Sequence, residues 1–225
     1  PGHRGRNRGA TCLMHYDLDK VPEPIAYKLL AATTIPRPIA WVVTRSRAGV
    51  LNAAPFSFFN VMGSAPPTIA LGLMAHARGG FKDTALNIQD TGEFVINLVP
   101  ERLVQAMNLT AVDAPQGVDE LALAGLATLP STHVAPPRIA DSPVSYECVA
   151  LSSVVTGPGQ TVVIGRVRAV HIDDQYLLDA DRAHVDTDAL DLVARSFGSG
   201  YIFTRDGFQL VRSTWAGLPA EGKKI

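Results

Sequence analysis

The sequence predicts a mainly β fold, a barrel or sandwich that carries only short helices. Three observations predict it. Short apolar, β-rich runs recur along the chain, and turn residues punctuate them. Helical spacing appears only in brief segments, which argues against βαβ repeats. No repeat of fixed period and no low-complexity linker interrupts the pattern.

Taken in order, residues 39–44 (I-A-W-V-V-T) form the first apolar strand. Residues 45–49 follow as a turn, with Gly49 free to take positive φ. Residues 51–60 (L-N-A-A-P-F-S-F-F-N) read as one second strand. Pro55 lacks an amide donor, so that strand belongs at an edge or bulge, or its backbone serves a ligand. Residues 68–74 are a third strand, entered through Pro66 and Pro67. A helix then starts at Asp83 as N-cap, runs through Ala85, Leu86 and Ile88, and stops at Gly92. Residues 94–99 are a buried strand and 101–109 a short helix. The Pro-rich stretch 130–143 is a loop within the domain. Residues 144–155 and 161–172 are long β runs joined by Thr156-Gly-Pro-Gly159, an antiparallel hairpin. Residues 188–195 read as a short helix and 200–204 as the last strand.

At 225 residues, 47% hydrophobic and 18% charged, with mean hydropathy +0.13, the chain can bury a core without disulfides or metals. That composition excludes intrinsic disorder. The low charged fraction points to surface covered by a subunit or a ligand. The net charge is −1, which gives no basic field for nucleic acid. Residues 1–13 are read as a disordered or expression-derived extension, with Met14 as the natural start. Setting aside Arg4, Arg6 and Arg8 leaves 17 basic against 21 acidic residues, a mildly acidic domain over 14–225. Cys12 and Cys148 make no disulfide framework and no C-x-x-C, which fits a reducing cytoplasm. The longest apolar runs, such as 68–75, fall well short of a membrane span, so no membrane partner is expected.

Several chemistries leave no trace. There is no G-x-G-x-x-G after a strand, no phosphate-loop motif and no G-x-S-x-G. The six histidines form no i,i+4 pair, so no metal is expected. A catalyst built on this chain would need a cofactor. One constellation could hold it. Ala53, Ala54 and Ser57 flank Pro55 and Phe56, and small side chains let a flat ligand approach the backbone. Lys82, Asp83 and Thr84 open a helix, where free amides and a lysine suit a phosphate. A planar polar ring with a phosphate describes FMN. The bland reading is that Asp83 only caps the helix and Lys82 is solvated.

Three segments resemble a known family: residues 33–44 (T-T-I-P-R-P-I-A-W-V-V-T), 52–67 (N-A-A-P-F-S-F-F-N-V-M-G-S-A-P-P) and 82–98 (K-D-T-A-L-N-I-Q-D-T-G-E-F-V-I-N-L). Together with Ala106-Met-Asn108, Gly117-Val-Asp-Glu120, Pro136-Pro-Arg138, Glu147-Cys148 and residues 165–173, they look like the flavin reductase-like, FMN-binding split-barrel family, close to flavoredoxin and the DIM6/NTAB flavoproteins. The resemblance runs from about Tyr16 to Gly200.

It implies a Greek-key antiparallel split barrel, a homodimer, and FMN near the dimer interface. It implies electron transfer from NADH or NADPH to flavin, for a partner monooxygenase or another acceptor. Hydride would pass to the flavin with no side-chain acid required, and backbone donors at the pyrimidine edge would stabilise reduced flavin. Carried over by position, Ala54, Pro55, Phe56, Ser57 and Asn60 would line the ring and ribityl chain. Trp41, Val42 and Thr44 would support that site, and Lys82, Asp83 and Thr84 would hold the phosphate. Tyr201 is a candidate cover for the flavin. Arg37 is either a surface residue at strand entry or a phosphate contact, and His76 and Arg78 are further phosphate candidates. Trp41 also reads as a core aromatic, Cys148 as a buried strand residue, and Phe56, Phe58 and Phe59 as divided between core and interface. The alternatives are an FMN electron carrier without NAD(P)H activity and, more remotely, a small barrel binding sugar or oligonucleotide.

Overall fold

The computed structural model describes residues 13–76, 78–215 and 217. The expected extension therefore lies outside the described residues except for Leu13, which is exposed.

Seven strands make the main sheet: β1 (Ala40–Arg45), β2 (Leu51–Phe56), β3 (Phe59–Ser64), β4 (Pro67–Leu73), β5 (Glu93–Asn97), β6 (Val144–Gly157) and β7 (Gln160–Ile172). Their order is β2-β1-β5-β6-β7-β4-β3, and every pairing is antiparallel. The two edges, β2 and β3, are consecutive in the chain, with only Ser57 and Phe58 between them. The sheet must therefore curl until its edges meet. Covalent connection, not a hydrogen-bonded ladder, closes that seam, and a barrel split along one line results.

Side-chain alternation explains why residues 39–44 read as a continuous apolar run. Ala40 and Val42 face one core, with Phe94 and Ile96 of β5, Ile69, Leu71 and Leu73 of β4, and Cys148. Trp41 and Val43 face a second core, with Val95, Met107, Leu121, Ile139 and Val193. Both faces of β1 are covered. The polar ends inside this packing are satisfied. Trp41 Nε1 donates to Thr110 Oγ1 at 2.8 Å, and Asn97 Nδ2 donates to the Trp41 carbonyl at 3.0 Å.

Among the described residues, four α-helices decorate the sheet: α1 (Glu23–Thr33), α2 (Asp83–Thr91), α3 (Val104–Leu109, preceded by a 3-10 turn) and α4 (Glu120–Leu123). The hairpin of β6 and β7 has the expected joint, with Gln160 opposite Gly157. Gly92 ends α2 at φ 71, the left-handed conformation a C-terminal cap requires.

Four expectations need correction. The run 51–60 is two strands, because the chain breaks at Ser57-Phe58 to cross the seam. Asp83 is the first helical residue and not the cap: Lys82 is the N-cap, without a side-chain cap bond. The Asp83 carboxylate instead accepts from the Gly117 amide at 2.9 Å. Residues 188–195 are not a helix. Asp191 takes φ 47, Leu192 bridges Pro100, and Val193–Arg195 is a strand between Arg37–Pro38 and Tyr201–Phe203. Ladder pairing there overrides local helical spacing. Arg37 is not a surface residue but 5% exposed.

Candidate functional site

Two cavities flank the seam. The first is a polar pocket of about 190 Å³ between β2, the start of α2 and residues 110–116. Its walls include Asn52, Ala54, Pro55, His76, Lys82 and Glu120. Asp83 and Thr84 line it as well, so the two runs singled out in the sequence converge on one pocket. The second is a larger groove of about 640 Å³, mainly apolar, lined by Tyr27, Phe58, Met62 and Met74 among others. Ser57 and Asn60 belong to this groove. A smaller apolar cavity of about 280 Å³ shares Pro36, Pro38, Phe59 and Asn60 with it.

The remaining expected residues lie deeper. Trp41 and Val42 are fully buried on opposite core faces, and Phe56 is 9% exposed in the first core. Thr44 is buried, accepts from Asn87 Nδ2 at 3.0 Å, and pairs with Asn52 Oδ1 at 3.2 Å. None of these four side chains lines either cavity. Tyr201 packs on the second core, and the Arg195 guanidinium stacks 4.7 Å from its ring centroid.

Hydrogen bonding decides which groups at the start of α2 are free to meet a ligand. Thr84 Oγ1 donates inward to Asn52 Oδ1 at 2.8 Å and is 1% exposed, so its hydroxyl is committed. The Asp83 carboxylate is committed to Gly117. What remains is the Lys82 ammonium, which has no ion-pair partner among the described residues, and the uncapped first-turn amides of α2. The Ala85 amide is taken by the Lys82 carbonyl at 2.9 Å, which leaves the Asp83 and Thr84 amides without an intrahelical acceptor at the positive end of the helix dipole. This donor set fits an anion such as a phosphate monoester.

Beneath the pocket lies a polar network that sequence reasoning missed. Glu120 Oε2 accepts from Asn52 Nδ2 and from the Ala53 amide, both at 2.9 Å. Burial pushes the Glu120 carboxyl above its ordinary value, the Ala53 and Glu120 amides and Asn52 pull it back, and nearby Asp83 adds to the rise. The segment Gly117-Val-Asp-Glu120 had marked its position but not this role. The Ala53 amide points away from β1, so its neighbour two residues on, Pro55, occupies the next outward position and has no amide to offer. The outer edge of β2 is therefore poor in donors at both positions.

His76 crosses the mouth of the polar pocket. Its Nε2 lies 3.0 Å from Asp113 Oδ1, and its Nδ1 accepts from the Arg78 amide at 3.2 Å. Arg78 itself is exposed and does not line the pocket. Asp113 carried no sequence signal, since it is a loop acid that becomes relevant only through the fold. Cys148 is buried, and burial followed by the Glu147 charge pushes its thiol up to about 12, so it offers no reactive thiolate.

The comparisons with known proteins agree with this architecture. The family model described as a flavin reductase like domain matches residues 32–188. An uncharacterized protein of Deinococcus radiodurans is 44% identical over 207 residues, covering 90% of this chain and 91% of its own. Nitrilotriacetate monooxygenase component B from Bacillus cereus superposes with TM-score 0.83 at 30% identity, over 89% of this chain and all of that one. The 2-nitrobenzoate 2-nitroreductase of Pseudomonas fluorescens superposes with TM-score 0.82, also at 30% identity, over 92% of this chain and 99% of that one.

Proposed function

The chain belongs to the flavin reductase-like family, and from that premise we propose that it is an FMN-dependent oxidoreductase taking electrons from NADH or NADPH. The observation that carries the reading is the convergence of Ala54 and Pro55 with Lys82, Asp83 and Thr84 on one pocket beside a large apolar groove. Bound FMN would supply the two-electron chemistry. Lys82 and the Asp83 and Thr84 amides at the start of α2 would hold its phosphate. Ala54, Pro55, Phe56, Ser57 and Asn60 would position the ring, with Trp41, Val42 and Thr44 fixing β1 behind them. The protein would contribute orientation and water exclusion.

A homodimer fits the exposed apolar residues Val61, Met62, Leu151, Val154 and Val155. One barrel domain spans residues 14–225 in this reading. The likeness to a component B protein favours a flavin-dependent monooxygenase as the electron acceptor, and the nitroreductase likeness favours a small-molecule acceptor. Among the described residues no helix is long and apolar enough to cross a membrane, and a cytoplasmic location is proposed. An FMN electron carrier without NAD(P)H activity is the second reading. It differs in one measurement: anaerobic mixing with NADH and NADPH bleaches the bound flavin of a reductase. No bleaching with either, but rapid reduction by a protein donor, would overturn the reductase assignment in favour of the carrier.

Lys82→Ala is expected to weaken FMN by roughly 1–3 kcal/mol, the scale of a charge-assisted hydrogen bond, and to leave riboflavin unaffected. Fluorescence titration with both flavins checks this. Unchanged FMN affinity would move the phosphate elsewhere.

A further inference from the structure

The tip of the β6–β7 hairpin touches the loop that leads into Lys82, and it does so backbone against backbone. Gly159 has φ +69, and a Cβ built on it would lie 2.4 Å from the Gly80 carbonyl oxygen and 2.6 Å from its carbon. No side chain fits there. The contact is also the far end of a relay into the polar pocket. The Gly80 carbonyl accepts from the His76 amide at 2.9 Å, and the His76 carbonyl accepts from the Gly79 amide at 2.8 Å. His76 then reaches Asp113 across the pocket mouth, while Phe81 and Lys82 follow Gly80 directly in the pocket wall. The same hairpin end supplies Gln160, Thr161 and Val162 to the apolar groove.

We infer that Gly159 is a positioning residue for the phosphate end of the flavin: the hairpin tip is the backstop that sets where the Gly79-Gly80 turn, and hence Lys82, stands. This rests on the proposed FMN reading. The tip is the stiffer partner. Gln160 pairs with Gly157, and Thr161 pairs with both Val155 and Leu73 and donates its hydroxyl to the Val154 carbonyl at 3.1 Å. The described residues of the loop join no ladder, and Gly79 and Gly80 hold φ of 86 and 83. A methyl group at residue 159 therefore displaces the loop and not the sheet.

The test is Gly159→Ala, titrated with FMN and with riboflavin, which lacks the phosphate. FMN affinity is expected to fall at least about tenfold, the equivalent of one lost charge-assisted contact, with riboflavin held within about twofold. Gly49→Ala is the control, because Gly49 has φ +88 with nothing within 4 Å of a Cβ: it imposes the same backbone penalty without the contact, and should alter neither affinity. Equal weakening of both flavins, or no weakening, overturns the positioning role. Should Gly159→Ala fail to fold, hydrogen exchange on the unmodified protein decides. FMN is expected to slow amide exchange across 156–160 more than riboflavin does, and equal protection overturns the inference. An unmodified protein that binds neither flavin overturns the FMN reading itself, and this inference with it.

Discussion

Replacing Arg37 with alanine is expected to lower the unfolding free energy by about 3 kcal/mol and the melting temperature by roughly 6–12 °C. The guanidinium is almost fully enclosed yet meets no carboxylate among the described residues. It donates to the carbonyls of Ala31, Thr34 (2.7 Å) and Ser196 (2.9 Å), and to Ser57 Oγ at 3.3 Å. One side chain thus ties the end of α1, the strand Val193–Arg195 and its following turn, and the seam residue Ser57. Deleting it strands buried acceptors, which costs more than the bonds gained on folding. Arg37→Lys is expected to recover little, since a single ammonium cannot fork toward three separate carbonyls. Urea denaturation at neutral pH measures both variants. A loss below about 1 kcal/mol for Arg37→Ala would show that the latch is dispensable.

Glu147→Ala is the second large effect, at roughly 3–5 kcal/mol. The carboxylate is fully buried. It accepts from the Thr132 amide at 2.7 Å, the His133 amide at 2.5 Å and the Thr132 hydroxyl at 3.1 Å, and it meets His171 Nε2 at 2.5 Å. It fastens the 130–137 loop to β6 and β7. Burial alone would raise its pKa. The Thr132 and His133 amides, then His171 and the Thr132 hydroxyl, outweigh burial and pull it down to about 2. The folded value lies below the unfolded one, near 4.5. Its contribution is therefore complete above about pH 4.5 and is lost as pH falls toward 2. That contribution is worth about 3 kcal/mol. Glu147→Gln is expected to flatten this acid limb in denaturation curves taken from pH 5 to about 2. An unchanged slope would assign acid sensitivity to other carboxylates.

Much of this fold is legible in the sequence. Short β runs with turn chemistry gave the strands of the sheet, and the Thr156-Gly-Pro-Gly159 joint gave the long hairpin. Legibility failed where tertiary contacts decided the outcome. Helix α1 carries Ile25, Ala26, Leu29 and Leu30 at helical spacing yet fully buries only Ala31, so its place in the fold is set by tertiary ties such as Arg37 and not by a deep apolar face. Residues 188–195 have helical spacing, but the Arg37–Pro38 strand on one side and Tyr201–Phe203 on the other claim Val193–Arg195. Residues 51–60 hide their break because nothing local distinguishes Ser57-Phe58 from strand. The break exists because Arg37 holds Ser57 and the Phe58 carbonyl accepts from the Gly72 amide at 2.7 Å. At the site, residue types predicted the meeting of Pro55 with Lys82, but not the direction of each polar group. Thr84 turns inward because Asn52 lies beneath it, and Asp83 turns sideways because the 110–117 segment passes there.

The outward edge of β2 has a consequence beyond ligand contact. An exposed strand edge is a template on which further strands, from the same or another molecule, can be laid down. Template growth needs donors and acceptors in alternation. On β2 the Ala53 donor is consumed by Glu120, and Pro55 has none. The line along which the barrel is split, where fibrous self-assembly would otherwise begin, is chemically blunted by residues that sit beside the polar pocket. The opening needed for a ligand is thereby kept from acting as a seed for aggregation.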